Sequence, residues 1–274
     1  MERELPTIKI DNTVFIVDVD KTELRQKDNP KNTISFLDMT DLGDCYQIDY
    51  CRATKNFPPP FSYESDVTIR IPEMVKLDPE GMAIKYNCSI QEIRSKTDFD
   101  LMVDQNAYRE RIAGLLPMVN IAGHTFYVDL RMGSLRPHDD FSTKGIIFNQ
   151  IKDYYNEEKG VYQIPYNPTT HQFEPIDLDI TSIPKHLIPI EFPSERKLDP
   201  IGYNKLHGNS LHREVKKLNL QLSFKAKEIF WSETNVPTLI KLNKQEIKQQ
   251  KLEKKSNTIR QLKVPDKKKG PKLK

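Results

Sequence analysis

The chain has 274 residues, of which 37% are hydrophobic and 30% charged, so it is long enough to bury one large core or two modest ones. This composition excludes a wholly disordered protein. The formal net charge of +3 conceals an asymmetry, because residues 241–274 hold thirteen basic residues against three acidic ones, while residues 1–240 hold 29 against 36. The acidic body by itself would be a poor nucleic-acid binder.

The chain opens with a predicted β-hairpin. Apolar and polar residues alternate through residues 5–18, and the pair Asp11-Asn12 interrupts the alternation. Residues 116–129 show the same pattern, with Ala122-Gly123 at the interruption. Asn and Gly both tolerate positive φ, so the exchange of Asn12 for Gly123 predicts left-handed backbone at a tight turn.

This hairpin is the first of three blocks that occur twice in the same order. The matches are nine of 25 positions between 5–29 and 116–140, six of twelve between 46–57 and 162–173, and five of six between 76–81 and 197–202. Three collinear matches predict a tandem duplication. The offset grows from 111 to 121 along the chain, as loop insertions would produce.

The later elements of each copy are also predictable. Tyr46 and Tyr162 each begin a Tyr-Gln-Ile-x-Tyr strand, which gives at least four short strands per copy. Asp78-Pro79 and Asp199-Pro200 fit a helix N-cap followed by proline at the first helical position. Ser89 to Glu92 fits a capping box.

The predicted fold is therefore α+β, a tandem duplication of a small antiparallel sheet module with short helices, followed by a basic tail. The predicted divisions are a first module at 1–103, a linking helix at 104–115, a second module at 116–236, and a C-terminal segment at 237–274. In this last segment a polar helix should extend to roughly residue 255, with a disordered tail after it.

The tail's lysines could neutralise phosphates and bind nucleic acid without sequence specificity, or could serve only for solubility. Its candidate nucleic-acid contacts are Lys254, Lys255, Arg260, Lys263, Lys267, Lys268, Lys269, Lys272 and Lys274.

No phosphate-binding loop and no common hydrolase or zinc motif occurs in the sequence. The best metal-like group is His207 with His212, extended by His138-Asp139-Asp140, although surface histidines are the favoured interpretation. We therefore predict no cofactor and no assigned metal or catalytic residue. The protein is expected to be non-enzymatic, with an enzyme as the alternative.

Polar residues shared by both copies are better candidates for a common role. They are Asp18, Arg25, Asp28 and Gln47, with their counterparts Asp129, Arg136, Asp139 and Gln163. An aspartate that ends a strand and an arginine seven residues later can pair and hold a turn, so a structural role is favoured over binding. The aromatic row of the Tyr-Gln-Ile-x-Tyr strands could stack bases, but core packing is favoured.

These patterns favour a non-enzymatic binding or scaffold protein, with a protein partner and nucleic-acid association through the tail. The alternatives are an enzyme with an unfamiliar site in the groove between the copies, and an accessory subunit of a larger complex. No membrane span or export signal is evident, and three cysteines without a paired motif indicate reduced thiols in a cytoplasmic protein. A Cys45–Cys51 disulfide is the less favoured alternative.

Overall fold

The computed structural model describes residues 3–60, 67–140 and 142–262, with side chains as far as residue 253. Its short helices and mainly antiparallel sheets confirm the predicted α+β class. The strands of the first half are β1 (Thr7–Ile10), β2 (Thr13–Asp18), β3 (Glu23–Gln26), β4 (Thr33–Ser35), β5 (Thr40–Asp41), β6 (Cys45–Tyr50) and β7 (Val67–Pro72). Its helices are α1 (Met74–Leu77), α2 (Pro79–Lys85), α3 (Ile90–Ile93), α4 (Asp98–Met102) and α5 (Gln105–Ile112).

The second half presents its elements in a corresponding order. Its strands are β8 (Met118–Ile121), β9 (His124–Asp129), β10 (Ser134–Pro137), β11 (Ile146–Ile147), β12 (Tyr155–Asn156), β13 (Val161–Asn167), β14 (Gln172–Phe173), β15 (Ile188–Pro193), β16 (Ser223–Lys225) and β17 (Lys227–Glu228). Its helices are α6 (Phe148–Ile151), α7 (Glu195–Leu198), α8 (Pro200–Leu206), α9 (Val215–Leu218) and α10 (Val236–Leu262).

Each half contains two sheets. In the first half they have the orders β1-β2-β3-β4 and β5-β6-β7. In the second half they have the orders β11-β10-β9-β8-β16 and β12-β13-β15-β17, with β14 paired to β13. The first four strands of each half therefore follow the same meander, and β14, β16 and β17 have no counterpart among the described strands of the first half.

The strand register also corresponds between the halves. Phe15 pairs with Ile8, and Phe126 pairs with Val119 at the matched position. Both phenylalanines are completely buried, each in the apolar core of its own half. Duplication itself stays an interpretation of the sequence, and the shared strand order and register agree with it.

The predicted turns and caps form. The first turn residue has positive φ in both hairpins, 51° at Asp11 and 50° at Ala122, and Gly123 follows at 91°. Asn12 is not among the residues with positive φ, so the prediction of left-handed backbone is confirmed at Gly123 and wrong at Asn12. The left-handed position that the two hairpins share is one residue earlier, at Asp11 and Ala122. Asp78 and Asp199 each accept a hydrogen bond from the amide of the glycine three residues on, and the Ser89 capping box is present.

A third apolar cluster joins the halves, where Phe99, Val103 and Ala107, at the end of the first half, meet Ile201 and Val215 of the second half. The C-terminal helix α10 is longer than predicted. It continues to Leu262, so residues 256–262 are helical where disorder was predicted. No helix in the described part of the chain is both long and apolar enough to cross a bilayer.

Candidate functional site

The shared aspartates and arginines pair within their own hairpins. Asp18 lies 3.2 Å from Arg25, and Asp129 lies 3.4 Å from Arg136. Each aspartate also accepts a hydrogen bond from the backbone amide three residues later. The geometry is that of a turn held by its own charges, which leaves no free charge for a ligand at these positions.

The other shared residues lie elsewhere. Asp28 and Asp139 are exposed in the loop that follows the third strand of each half. Gln163 donates a hydrogen bond to Glu191 on the neighbouring strand, 2.8 Å away, and Gln47 stands opposite Arg70 on the corresponding strand pair. The structure therefore spreads the eight candidate residues over hairpin ends, loops and the face of a second sheet.

The aromatic row is part of the core. Tyr46, Ile48 and Tyr50 are at most 1% exposed, and their counterparts from Tyr162 to Tyr166 are at most 5% exposed. Bases cannot stack on side chains that are already covered, so these strands provide no platform for nucleic acid.

A groove of about 600 Å³ lies between the halves, lined by residues 36–42 on one side and by residues of the segment 210–217 on the other. Two lysines on one side pair with two aspartates on the other. Lys216 is buried, with its amine 2.8 Å from Asp41 and 3.0 Å from the hydroxyl of Tyr46. Lys217 pairs with Asp38. The groove therefore brings opposite charges of the two halves into contact.

Burial and the neighbouring Asp98 carboxylate raise the pKa of Tyr46, so its hydroxyl stays protonated.

The histidines that the sequence singled out do not converge. His207 stacks on Tyr203, His212 bonds the hydroxyl of Tyr108 at 2.9 Å, and His138 lies against Tyr127. The structure instead groups His124, Asp140 and His171, whose potential ligand atoms lie within 4.8 Å of one another. Sequence reasoning missed both of these histidines.

One strand edge is covered in the second half, and its counterpart in the first half has no neighbouring strand among the described residues. β16 pairs in parallel with β8, setting Ser223, Phe224 and Lys225 opposite Met118, Val119 and Asn120. The amide of Met118 donates to the carbonyl of Leu222 at 2.9 Å, and the amide of Ala226 donates to the carbonyl of Asn120 at 2.8 Å. These bonds use the backbone groups of β8 that point away from β9.

The corresponding edge belongs to β1, which pairs only with β2 among the described strands. Thr7 and Lys9 match Met118 and Asn120, and the alternation of an antiparallel ladder turns their amides and carbonyls outward. Within the described residues these four groups have no hydrogen-bond partner. An open row of this kind is a ready template for another strand.

Burial shows the same difference. Val119 beneath β16 is completely buried, whereas its counterpart Ile8 is only half-buried at the margin of the first core. Thr7 and Lys9 are exposed, while Met118 and Asn120 are half-buried. The first half thus has a site shaped for a strand that the described chain does not provide.

Comparison with known proteins adds no relative. No protein-family model, curated protein or solved structure matches the chain. Inference about function therefore rests on differences between the two halves of the molecule. Two differences between corresponding positions are the most informative. The first is that β16 covers β8 whereas no described strand covers β1, and the second is the histidine cluster of the second half.

Proposed function

We propose that this chain is a non-enzymatic binding protein whose first module takes an extended segment of a protein partner along β1. The observation that carries the proposal is the contrast between β8, which β16 covers, and β1, which no described strand covers. Strand addition of this kind gains affinity from backbone hydrogen bonds and specificity from alternate side chains.

The second half indicates what the partner segment would look like. Phe224 lies opposite Val119 and packs on the second core, so the matching partner residue, opposite Ile8, should be large and apolar. The next partner residue lies opposite Lys9, which is exposed and basic. A basic edge repels a second copy of itself and favours an acidic residue at that place.

The test uses a labelled nonapeptide based on residues 220–228, Leu-Gln-Leu-Ser-Phe-Lys-Ala-Lys-Glu, with glutamate in place of the lysine at position 225. Fluorescence anisotropy measures its binding to the full-length protein. We expect binding, and tighter binding than that of the unchanged peptide, because glutamate would face Lys9.

The matched variant is Thr7→Pro, which removes the outward amide of β1 and leaves the bonds to β2 intact. We expect it to abolish binding, while Thr7→Ala retains it. Equal binding to wild type and Thr7→Pro would refute the β1 site. Such an outcome would indicate that the peptide displaces β16 from β8 instead.

A second function, attachment to nucleic acid or another acidic surface, is favoured by α10. Its start is anchored, with Val236 and Ile240 buried and Asn243 donating to the carbonyls of Leu178 and Ile180. Beyond this anchor the helix exposes Lys244, Lys248 and Lys251. Lys254, Lys255 and Arg260 lie further along the helix, and Lys263, Lys267, Lys268, Lys269, Lys272 and Lys274 fall outside the described residues.

The test of the second function is salt dependence in the full-length chain. We expect binding to a short DNA duplex to weaken steeply with salt, since each neutralised phosphate releases counterions. Replacing Lys254, Lys255, Lys267, Lys268 and Lys269 with glutamine should flatten that dependence. An unchanged salt slope in this variant would remove the tail from the interaction.

A further inference from the structure

We propose that His124, Asp140 and His171 form a binding site for a divalent transition metal ion, with Zn²⁺ as the preferred ion. Two imidazoles and one carboxylate form a donor set that zinc commonly takes. The potential ligand atoms of the three side chains lie within 4.8 Å of one another, and no other group of three such residues was found in the described part of the chain.

The three residues come from separate parts of the second module. His124 is the first residue of β9, Asp140 lies in the loop after β10, and His171 lies in the turn between β13 and β14. An ion held by all three would therefore tie the two sheets of this module together. His171 has a φ of 56°, in the left-handed region that presents its side chain from a tight turn.

The first module ties the same two regions differently. The counterparts of the three residues are Thr13, Asn29 and Lys55, which cannot form a comparable site. There the side-chain amide of Asn32 donates to the carbonyls of Thr54 and Lys55, and Asn56 donates to Asn32 at 2.6 Å. The residues that match Asn32 and Asn56 are Lys144 and Gln172, so the second module has lost this amide pair where the histidine cluster stands.

Where the second module lacks this amide pair, it also has two buried polar atoms that accept or donate no described hydrogen bond. In the first module the hydroxyl of Tyr50 lies 3.5 Å from the hydroxyl of Thr13. In the second module the counterpart hydroxyl of Tyr166 and the Nε2 atom of His124 are both buried, and neither has a hydrogen-bond partner among the described residues. A buried polar atom left unpaired is costly, and coordination through Nε2 would satisfy this nitrogen.

Neighbouring contacts hold the Asp140 carboxylate in the cluster. The hydroxyl and the backbone amide of Ser142 donate to one oxygen of Asp140 at 2.5 and 3.0 Å. The other oxygen lies 3.1 Å from Nδ1 of His171, so a bound ion would take the place of this contact.

Coordination requires one local movement. The rings of His124 and His171 are stacked, with centroids 3.8 Å apart and planes 14° apart. A metal ion lies in the plane of each imidazole that binds it, so one ring must turn out of the stack. The His171 side chain is 28% exposed and has room to turn. Three protein ligands would leave the fourth position of a tetrahedral ion open.

The experiment compares zinc binding by the full-length wild type with that of a triple variant, His124→Thr, Asp140→Asn and His171→Lys. These substitutions install the residues that the first module carries at the same places. Isothermal titration with ZnCl₂ should show one ion per wild-type chain, and the triple variant should bind at least about tenfold more weakly. A control variant, His138→Ala with His207→Ala and His212→Ala, should bind like wild type.

Equal binding by wild type and the triple variant would overturn the proposal, because the retained cysteines, other histidines or tail would then account for it. Loss of binding in the control variant alone would overturn it as well. A second measurement covers the case in which the triple variant does not fold. In the wild type, zinc should shift the ring proton resonances of His124 and His171 and leave those of His207 unchanged, and the reverse pattern would contradict the site.

Discussion

Asp78 and Asp199 hold corresponding positions, and each carboxylate caps a helix while receiving two hydrogen bonds from an arginine. Arg3 donates to Asp78 at 2.6 and 2.5 Å, and Arg111 donates to Asp199 at 2.9 and 2.8 Å. The two arginines are not matched in sequence, since Arg3 lies two residues before its block and Arg111 lies five residues before its own. Both aspartates are buried, so the same electrostatic requirement is met twice from different places.

The first prediction concerns this buried pair. Asp199→Ala removes the helix cap and leaves the Arg111 guanidinium, whose side chain is 13% exposed, without its partner. We expect the free energy of unfolding to fall by about 3 kcal/mol. Urea denaturation measures it, with Asp104→Ala as the control, since Asp104 is an exposed cap whose loss should cost about 1 kcal/mol. Equal losses would show that the arginine contributes nothing.

The second prediction separates two adjacent lysines. Lys216→Ala leaves Asp41 and Tyr46 without their buried cation, and we expect a loss of about 3 kcal/mol in unfolding free energy. Lys217→Ala breaks an exposed pair with Asp38 and should cost less than about 1 kcal/mol. Denaturation curves for the two variants give the comparison, and a Lys217 effect as large as that of Lys216 would contradict it.

The third prediction concerns acid. The pKa of His124 is lowered in the folded protein, so the unfolded chain takes up a proton first as the pH falls below 6.5. The contribution of the neutral His124 ring to the free energy of unfolding is therefore fully present above pH 6.5 and decreases below that pH. The lowered pKa of Asp140 also makes the free energy of unfolding decrease with falling pH, over the range from about 3.8 toward 2. We expect the Tm to decrease between pH 7 and pH 5, and His124→Thr to lessen that decrease in metal-free buffer. The same decrease in both proteins would assign it to other groups.

The fourth prediction uses the two matched edges. Met118→Pro removes the amide that bonds Leu222, so it should lower the free energy of unfolding by at least about 1 kcal/mol more than Thr7→Pro, which breaks no described bond. Thermal and urea denaturation of the two variants provide the values. A larger loss for Thr7→Pro would mean that the β1 edge is already occupied within the folded chain.

Local structure was predictable wherever the residues that stabilise it lie within one short segment of the sequence. The Asp-Pro caps, the Ser89 capping box and the hairpin around Asp11 all form, because each depends on residues within a few positions of one another. The histidine cluster escaped prediction because its members lie 16 and 31 residues apart along the chain. Comparing the halves position by position would have revealed it, since Thr13, Asn29 and Lys55 are all replaced by metal-binding residue types.

By itself, the sequence determined the alternation of apolar and polar residues in the strands, the helix caps and the turn residues, because these depend on local geometry. It also determined the basic C-terminal segment, because charged residues can be counted in the sequence. Tertiary structure alone decided that β16 covers β8 while no described strand covers the outer edge of β1, and that Lys216 is buried against Tyr46 of the other half. Such contacts join residues more than 100 positions apart, and burial and pairing at that range depend on how whole elements pack. The two halves have similar local sequence patterns, so the proposed binding sites depend on how the halves differ in strand pairing and burial.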